Sequence, residues 1–294
     1  MRSTIKLISL ELVQAEHLEF TTYFSVYREN IRLRKDWNLP LTSVPRNGVC
    51  YWIMRQGQRI GRVLAEANKL GPLFVIPPNK LEDSWLQELV AYVISISDFT
   101  VPIEAAGILS SQLEGFRRNG FAPILTRHGM IRPTAPFPAA FPHDWTAGQP
   151  DRADIDELAS VLHTAFRQGT ADPSMTETEE GLKRDLADFF LLSEKDLPLR
   201  QASTVVWDNH TSSIAGVCLI GRNEGWPFIS YLAVLPAYRG KGLATAMIQQ
   251  ALSRLYEQEP LLLLFVTEGN PAKNLYEKLG FWSAPSVTLM SYNQ

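Results

Sequence analysis

An apolar strand that runs into a glycine-bearing turn and straight on into an amphipathic helix constrains this chain more than any other feature. It reads Tyr231-Leu-Ala-Val-Leu-Pro-Ala-Tyr-Arg239-Gly-Lys-Gly242-Leu-Ala-Thr245. Gly240 and Gly242 carry no Cβ, so the backbone there can take unusual dihedrals and approach a ligand closely. The first N–H groups of the following helix lack partners within it and point at a bound anion, with the positive end of the helix dipole behind them. Leu243, Ala244, Met247, Ile248, Ala251, Leu252, Leu255 and Tyr256 recur at steps of three and four, which a core-packed helix requires. The segment therefore predicts a phosphate cradle.

Two familiar glycine loops do not fit. A Walker loop needs G-x-x-x-x-G-K-[ST], but Lys241 is followed by Gly242. A dinucleotide fingerprint would need a small third residue where Thr245 stands. The pattern (Arg/Gln)-x-x-Gly-x-(Gly/Ala), preceded by a Leu-Ala-Val-x-Pro strand end, does fit Arg239 to Ala244. Downstream, the apolar run Leu261 to Val266 is followed by Glu268-Gly-Asn270-Pro-Ala-Lys-Asn-Leu-Tyr276-Glu-Lys-Leu-Gly280-Phe281. That reads as a strand, a loop and a helix with Asn270 as N-cap, Pro271 at the first position and Gly280 as terminator. Together these two elements resemble the GCN5-related N-acetyltransferase (GNAT) superfamily, whose second motif is N-x-x-A-x-x-x-Y-x-x-x-G-F; here Ala272 comes one step early. The resemblance covers residues 151–294 and implies acetyl-coenzyme A as cosubstrate, with the turn on its pyrophosphate.

At 294 residues the chain is about twice the usual domain size, so two domains are expected. A net charge of −3 argues against nucleic acid or an anionic membrane as partner. The run Arg28, Arg32, Arg34, Lys35 reads as a solvated face. Cys50 and Cys218 do not suggest a disulfide framework, and the five histidines lack metal-ligand spacing, so no metal is expected. The first eighteen residues lack a signal-peptide pattern and no apolar run approaches the ~18 residues of a membrane span, which together give the expectation of a cytoplasmic protein.

Five prolines between Ile131 and Pro150 predict a linker over 133–150. Beyond it, residues 154–167 and 176–192 read as helices, and 202–207 with 214–221 as a hairpin, the expected front of a GNAT domain over 151–294. The first half repeats this order in weaker form: hairpin 49–54 and 59–65, strand 71–77, helix 85–96. Laying Val75-Ile-Pro77 on Val234-Leu-Pro236, an offset of 159, puts the turn on Asn79 to Asp83, with Glu82 and Asp83 where pyrophosphate would bind. Phe116-Arg-Arg-Asn-Gly120-Phe121 resembles Tyr276-Glu-Lys-Leu-Gly280-Phe281 at an offset of 160, with the hydroxyl gone. The expectation is an α/β (α+β mixed sheet) protein of two GNAT-like domains in tandem, each a mixed, mostly antiparallel sheet flanked by helices. Residues 1–132 form the degenerate one.

In a GNAT an amine attacks the thioester directly and thiolate leaves. The resemblance implies Arg239, Gly240, Lys241, Gly242, Leu243, Ala244 and Thr245 on pyrophosphate, and the backbone of Leu232, Ala233 and Val234 on the pantetheine arm and acetyl carbonyl. It also implies Asn270, Lys273 and Tyr276 on the same ligand, and Tyr276 as general acid. The family's glutamate before the strand is absent, since Phe228 stands near that position. Glu268 and, less favourably, Glu224 are left as candidate bases. Trp226, Phe228, Tyr231 and Trp282 are candidates for an apolar acceptor pocket or for core. The function this implies is N-acetylation of a small-molecule, peptide or protein amine by a monomer or homodimer. The alternative is a non-catalytic acyl-CoA-binding regulatory or interaction protein.

Overall fold

A computed structural model describes residues 3–27, 35, 50–138, 141, 143–167 and 178–293. Arg28, Arg32 and Arg34 of the basic run, and the start of the helix expected from residue 176, lie outside the described residues. The chain divides into two compact units, Met1–His128 with Pro285–Gln294, and Gly129–Ala284.

In chain order the elements of the first half are β1 (Thr4–Lys6), β2 (Glu11–Gln14), α1 (His17–Tyr27), β3 (Cys50–Arg55), β4 (Gln58–Glu66) and β5 (Lys69–Val75). They continue with α2 (Asp83–Ile96), β6 (Glu104–Leu109), α3 (Leu113–Arg118) and β7 (Phe121–Pro133). The second half holds β8 (Trp145–Gly148), α4 (Ile155–Arg167), α5 (Glu179–Ser193), α6 (Leu197–Ala202), β9 (Thr204–Asp208), β10 (Ile214–Asn223) and β11 (Trp226–Val234). It ends with α7 (Leu243–Leu255), β12 (Leu261–Thr267), α8 (Ala272–Lys278) and β13 (Trp282–Tyr292). Among the described residues no helix is long and apolar enough to cross a membrane.

In the C-terminal unit the strand order is β12-β11-β10-β9-β8. All pairs are antiparallel except β11 with β12. The seven residues from Ile214 to Ile220 are all buried, a continuous apolar run that only a strand covered on both faces can carry. One face packs on α7 and α8 through Cys218, Met247, Ile248, Leu252 and Tyr276. The other packs on α4 and α5 through Leu158, Leu162, Leu186, Val217 and Ala233. Helix α5 opens on Thr178, whose hydroxyl accepts from the Gly181 N–H at 3.1 Å.

The N-terminal unit repeats the plan. Its strands run β1-β2-β3-β4-β5-β6-β13, parallel at β5–β6. Gly61↔Val75 matches Gly216↔Val234, and the Ile76 N–H donates to Ile60 at 2.8 Å as Leu235 does to Ala215 at 2.9 Å. Even the irregularity recurs: β5 bulges at Gly71 and Pro72, and β11 bulges at Ser230. The ring pair Phe116–Phe121 (5.5 Å, 79°) reproduces Tyr276–Phe281 (6.0 Å, 64°). Two GNAT-like domains in tandem is thus the architecture, and the correspondence extends well past the Gly-Phe coincidence.

The boundaries differ from those expected. Residues 133–150 are not a free linker but part of the C-terminal unit. The Thr134 N–H donates to Pro260 O at 3.1 Å, the Phe137 N–H to Ser253 Oγ at 2.7 Å, and Trp145–Gly148 pairs with β9 as an edge strand. The strand itself, Trp-Thr-Ala-Gly, contains no proline, so none of its ladder donors is missing. The chain end also changes sides: Val287↔Leu109 and Thr288↔Ile108 lay β13 on β6, and Met290 is fully buried in the N-terminal core. Met290→Ala should destabilise that unit by about 2–5 kcal/mol. Residue-resolved amide exchange should speed up in β6 while β10 keeps its protection; equal loss in both strands would contradict this membership.

Candidate functional site

The site begins where β11 parts from β12. Their parallel pairing is carried by Phe228↔Leu263. Beyond it, Ser230 bulges out of β11, which increases the local twist. Alternation along β11 then fixes where its amides point. Because the Leu235 N–H donates to Ala215, the hydrogen-bonding groups of Ala233 also face β10, whereas those of Leu232 and Val234 face the open edge. Two backbone donors therefore line the gap, as a pantetheine amide or an acyl carbonyl requires. Ala233, expected among the ligand-binding positions, is instead committed to β10 and buried on the α4–α5 side.

The turn follows at once. Gly240 and Gly242 have φ of 76° and 82°, and a Cβ at either would meet nothing within 4 Å. The left-handed backbone requires glycine, and the space in front is open for a ligand. Gly242 O accepts from Ala246 at 3.0 Å, so the N–H groups of Leu243, Ala244 and Thr245 precede the first intrahelical bond of α7. Leu243 itself points into the core, so its contribution is the amide alone. An anion of pyrophosphate size fits such a cradle.

Arg239 also makes contacts within the fold. Its Nε donates to Val234 O at 3.2 Å and its Nη2 to Ala165 O at 2.9 Å, so the side chain, exposed beside the turn, ties β11 to α4. Lys241 is exposed, with Nζ 5.4 Å from the ring centres of both Trp145 and Tyr238. Trp145 comes from the proline-rich segment, where no periodic signal marked it.

On α8 the Asn270 side chain accepts from the Ala272 N–H at 2.9 Å, confirming a cap, and Lys273 lies 3.9 Å from Glu277 in an i, i+4 pair. Both side chains are thus engaged locally. Tyr276 is only 8% exposed, packed against Phe281 and near Cys218. Burial, with a smaller contribution from Cys218, pushes its phenol far above the usual tyrosine range. Glu268 is exposed just past the end of β12. Glu224 sits in the turn before β11, roughly 26 Å of extended strand from the Leu232–Val234 end, which removes it as a base. Trp226, at the start of the same strand, lies roughly 20 Å from Leu232. Phe228 packs on Phe265 (5.3 Å), and Tyr231 turns to the α4–α5 face, so the four aromatics do not form one pocket. Nothing in the sequence pattern singles out Asp185, yet its carboxylate accepts from the Tyr231 hydroxyl at 3.1 Å.

Parallel strands that part around free amides and end in a glycine turn on a helix N-terminus define the GNAT fold. Residues 162–281 match the family model described as Acetyltransferase (GNAT) family, so the C-terminal unit carries a GNAT-family domain. No curated protein matches the sequence. Among solved structures, a GCN5-related N-acetyltransferase from Sphaerobacter thermophilus aligns with TM-score 0.63 at 17% identity, covering 85% of this chain and 82% of that one. A tandem GNAT protein from the clavulanic acid biosynthesis pathway aligns over 96% of this chain and 98% of its own, with TM-score 0.59 and 13% identity. A GNAT-family acetyltransferase from Colwellia psychrerythraea gives 0.61 at 10% identity, covering 98% of this chain and 100% of that one. At such identities the likeness concerns the fold, and the second structure shows that fold in tandem.

The brace role of Arg239 has a direct check. Arg239→Ala should lower stability by about 0.5–1.5 kcal/mol, since two carbonyls exchange a protein donor for water, and weaken CoA binding only modestly. A variant with unchanged melting temperature and abolished CoA binding would restore the direct contact.

Proposed function

We propose that the protein is an acetyl-CoA-dependent N-acetyltransferase whose C-terminal unit transfers an acetyl group to a primary amine of a small molecule, peptide or protein. The observation that carries this reading is the continuity of two donor sets: the outward amides of Leu232 and Val234 and the cradle of Gly240 to Thr245 lie on one strand-turn-helix segment. In this reading the cradle holds the pyrophosphate and the strand amides hold the pantetheine arm. The amide beside the acetyl carbonyl stabilises the oxyanion that forms as the amine attacks, an effect worth on the order of a hundredfold per donor.

Carbon–nitrogen bond formation expels the CoA thiolate. Tyr276 supplies a protonated hydroxyl there, because burial keeps the phenol un-ionised throughout the neutral range. A phenol near 10 donating fully to a thiolate near 8.5 is uphill by about 2 kcal/mol even before burial, so Tyr276 stabilises the departing sulfur mainly by hydrogen bonding. An alkylamine arrives protonated and costs roughly 4–5 kcal/mol to deprotonate at pH 7. Glu268, at the end of β12, is the carboxylate through which that proton leaves to solvent. The apolar pair Phe228–Phe265 at the place of the missing carboxylate favours one other reading, a non-catalytic acyl-CoA-binding protein.

Free-thiol release from acetyl-CoA with a panel of amines separates the two. Turnover with any amine is the expected result, and Tyr276→Phe should lower kcat about 10- to 100-fold with acetyl-CoA affinity within about twofold. The raised phenol pKa also has a sign. The folded state holds that proton more tightly than the unfolded chain, so the stability it contributes is complete below about pH 10 and is lost above it. No fall in activity from Tyr276 ionisation is therefore expected below pH 10. Tight acetyl-CoA binding without turnover of any amine would establish the non-catalytic reading.

A further inference from the structure

We infer that Asp185, held by Tyr231, is the residue that selects a positively charged acceptor, by receiving the acceptor's ammonium group on the α4–α5 face of the sheet. This rests on the acetyltransferase reading and deepens it. Tyr231 is the residue next to Leu232, whose amide lines the gap, and the two Cα atoms lie about 3.8 Å apart. Successive side chains of a strand leave on opposite faces. Leu232 packs toward α7, while Tyr231 packs toward α4 and α5, with its ring 6.3 Å from Phe166. The ligand turn opens on the α7 helix, and Tyr231 stands on the opposite face of β11, the side assigned to the acceptor.

On that side Asp185 is exposed, and its Oδ2 accepts from the Tyr231 hydroxyl at 3.1 Å. A phenol is a neutral donor. It fixes the carboxylate without cancelling its charge. Lys183, two residues away, turns instead to Asp156 at 2.9 Å and Glu179 at 3.6 Å. Among the described residues no cation pairs with Asp185. The surroundings reinforce its sign: α4 and α5 together carry six carboxylates against three basic side chains, a balance of −3 that equals the net charge of the whole chain. The ligand turn, by contrast, offers helix N–H groups and Lys241. The two approaches to the gap thus have opposite polarity, positive for the anionic cosubstrate and negative for the acceptor, which steers a cation toward the second. Asp185 is a binding residue in this assignment and Tyr231 its positioning residue.

The test uses the full chain saturated with CoA and two probes: cadaverine, cationic at pH 7.5, and aniline, neutral there. Calorimetric titration should show cadaverine binding that Asp185→Asn weakens tenfold or more. In acetyl transfer that loss should appear in KM with kcat nearly unchanged. Tyr231→Phe should shift KM in the same direction by less, and Asp185→Glu should recover part of the affinity. Aniline and acetyl-CoA should bind both proteins alike. The assignment is overturned if cadaverine fails to bind the wild type, if Asp185→Asn leaves its affinity unchanged, or if aniline loses as much. Failure of acetyl-CoA to bind the wild type would instead sink the acetyltransferase reading, with Asp185 still judged by cadaverine binding to the free protein.

Discussion

The parting of β11 from β12 after Phe228↔Leu263 is the constraint on which the rest of the site depends, because it leaves backbone donors of a central strand without ladder partners. A buried donor left unpaired costs about 1–3 kcal/mol, so such an arrangement is sustainable only where the amides face solvent or a ligand. The bulge at Ser230 sets it up. The inserted residue also fixes which side chains face which helices beyond it, sending Leu232 and Val234 toward α7 and Tyr231 and Ala233 toward α4 and α5. One irregularity thus positions both the amides and the residue that holds Asp185.

The N-terminal unit shows what remains when that geometry is kept and the chemistry is withdrawn. Its bulge at Gly71 and Pro72 and its parallel pair β5–β6 reproduce the scaffold. The helix N-terminus that would receive pyrophosphate bears Glu82 and Asp83, already paired with Arg55 at 3.5 Å and Arg118 at 2.6 Å. Carboxylates there satisfy the helix dipole and repel a phosphate. At the register of Val217 stands Arg62, fully buried with its guanidinium 3.5 Å from the Trp52 ring centre and 3.5 Å from Glu19. That face of the N-terminal sheet is therefore filled by a cation against aromatic rings. Phe116 completes the loss, since no hydroxyl stands where Tyr276 does.

The sequence was most legible where local chemistry decides the backbone. Gly240 and Gly242, the apolar stripe of α7 and the Asn270 cap could each be read from a few neighbouring residues, because turns, stripes and caps are short-range devices. The repeat was legible too, through Gly120-Phe121 and the proline-ended strands, although the matching bulges were not. Long-range decisions stayed hidden. No local pattern tells that Arg239 reaches back to Ala165 or that Asp185 meets Tyr231 across forty-six residues. Proline density over 133–150 suggested a linker, yet proline is equally at home beside an edge strand, and only the partner β9 decides between them. Likewise the last residues fall in sequence within the domain expected over 151–294, and the pairing of β13 with β6 is a matter of topology rather than composition.

The central claim is that one unit keeps a CoA cradle and the other has lost it. Amide chemical shifts of nitrogen-15-labelled protein titrated with CoA test it most directly, because each unit reports separately. The account predicts that the N–H signals of Leu232, Val234 and Gly240 to Thr245 move saturably with one equivalent of CoA, while those of Asn79 to Asp83 stay in place. Saturable shifts at Asn79 to Asp83, or none at Leu232 and Val234, would contradict it.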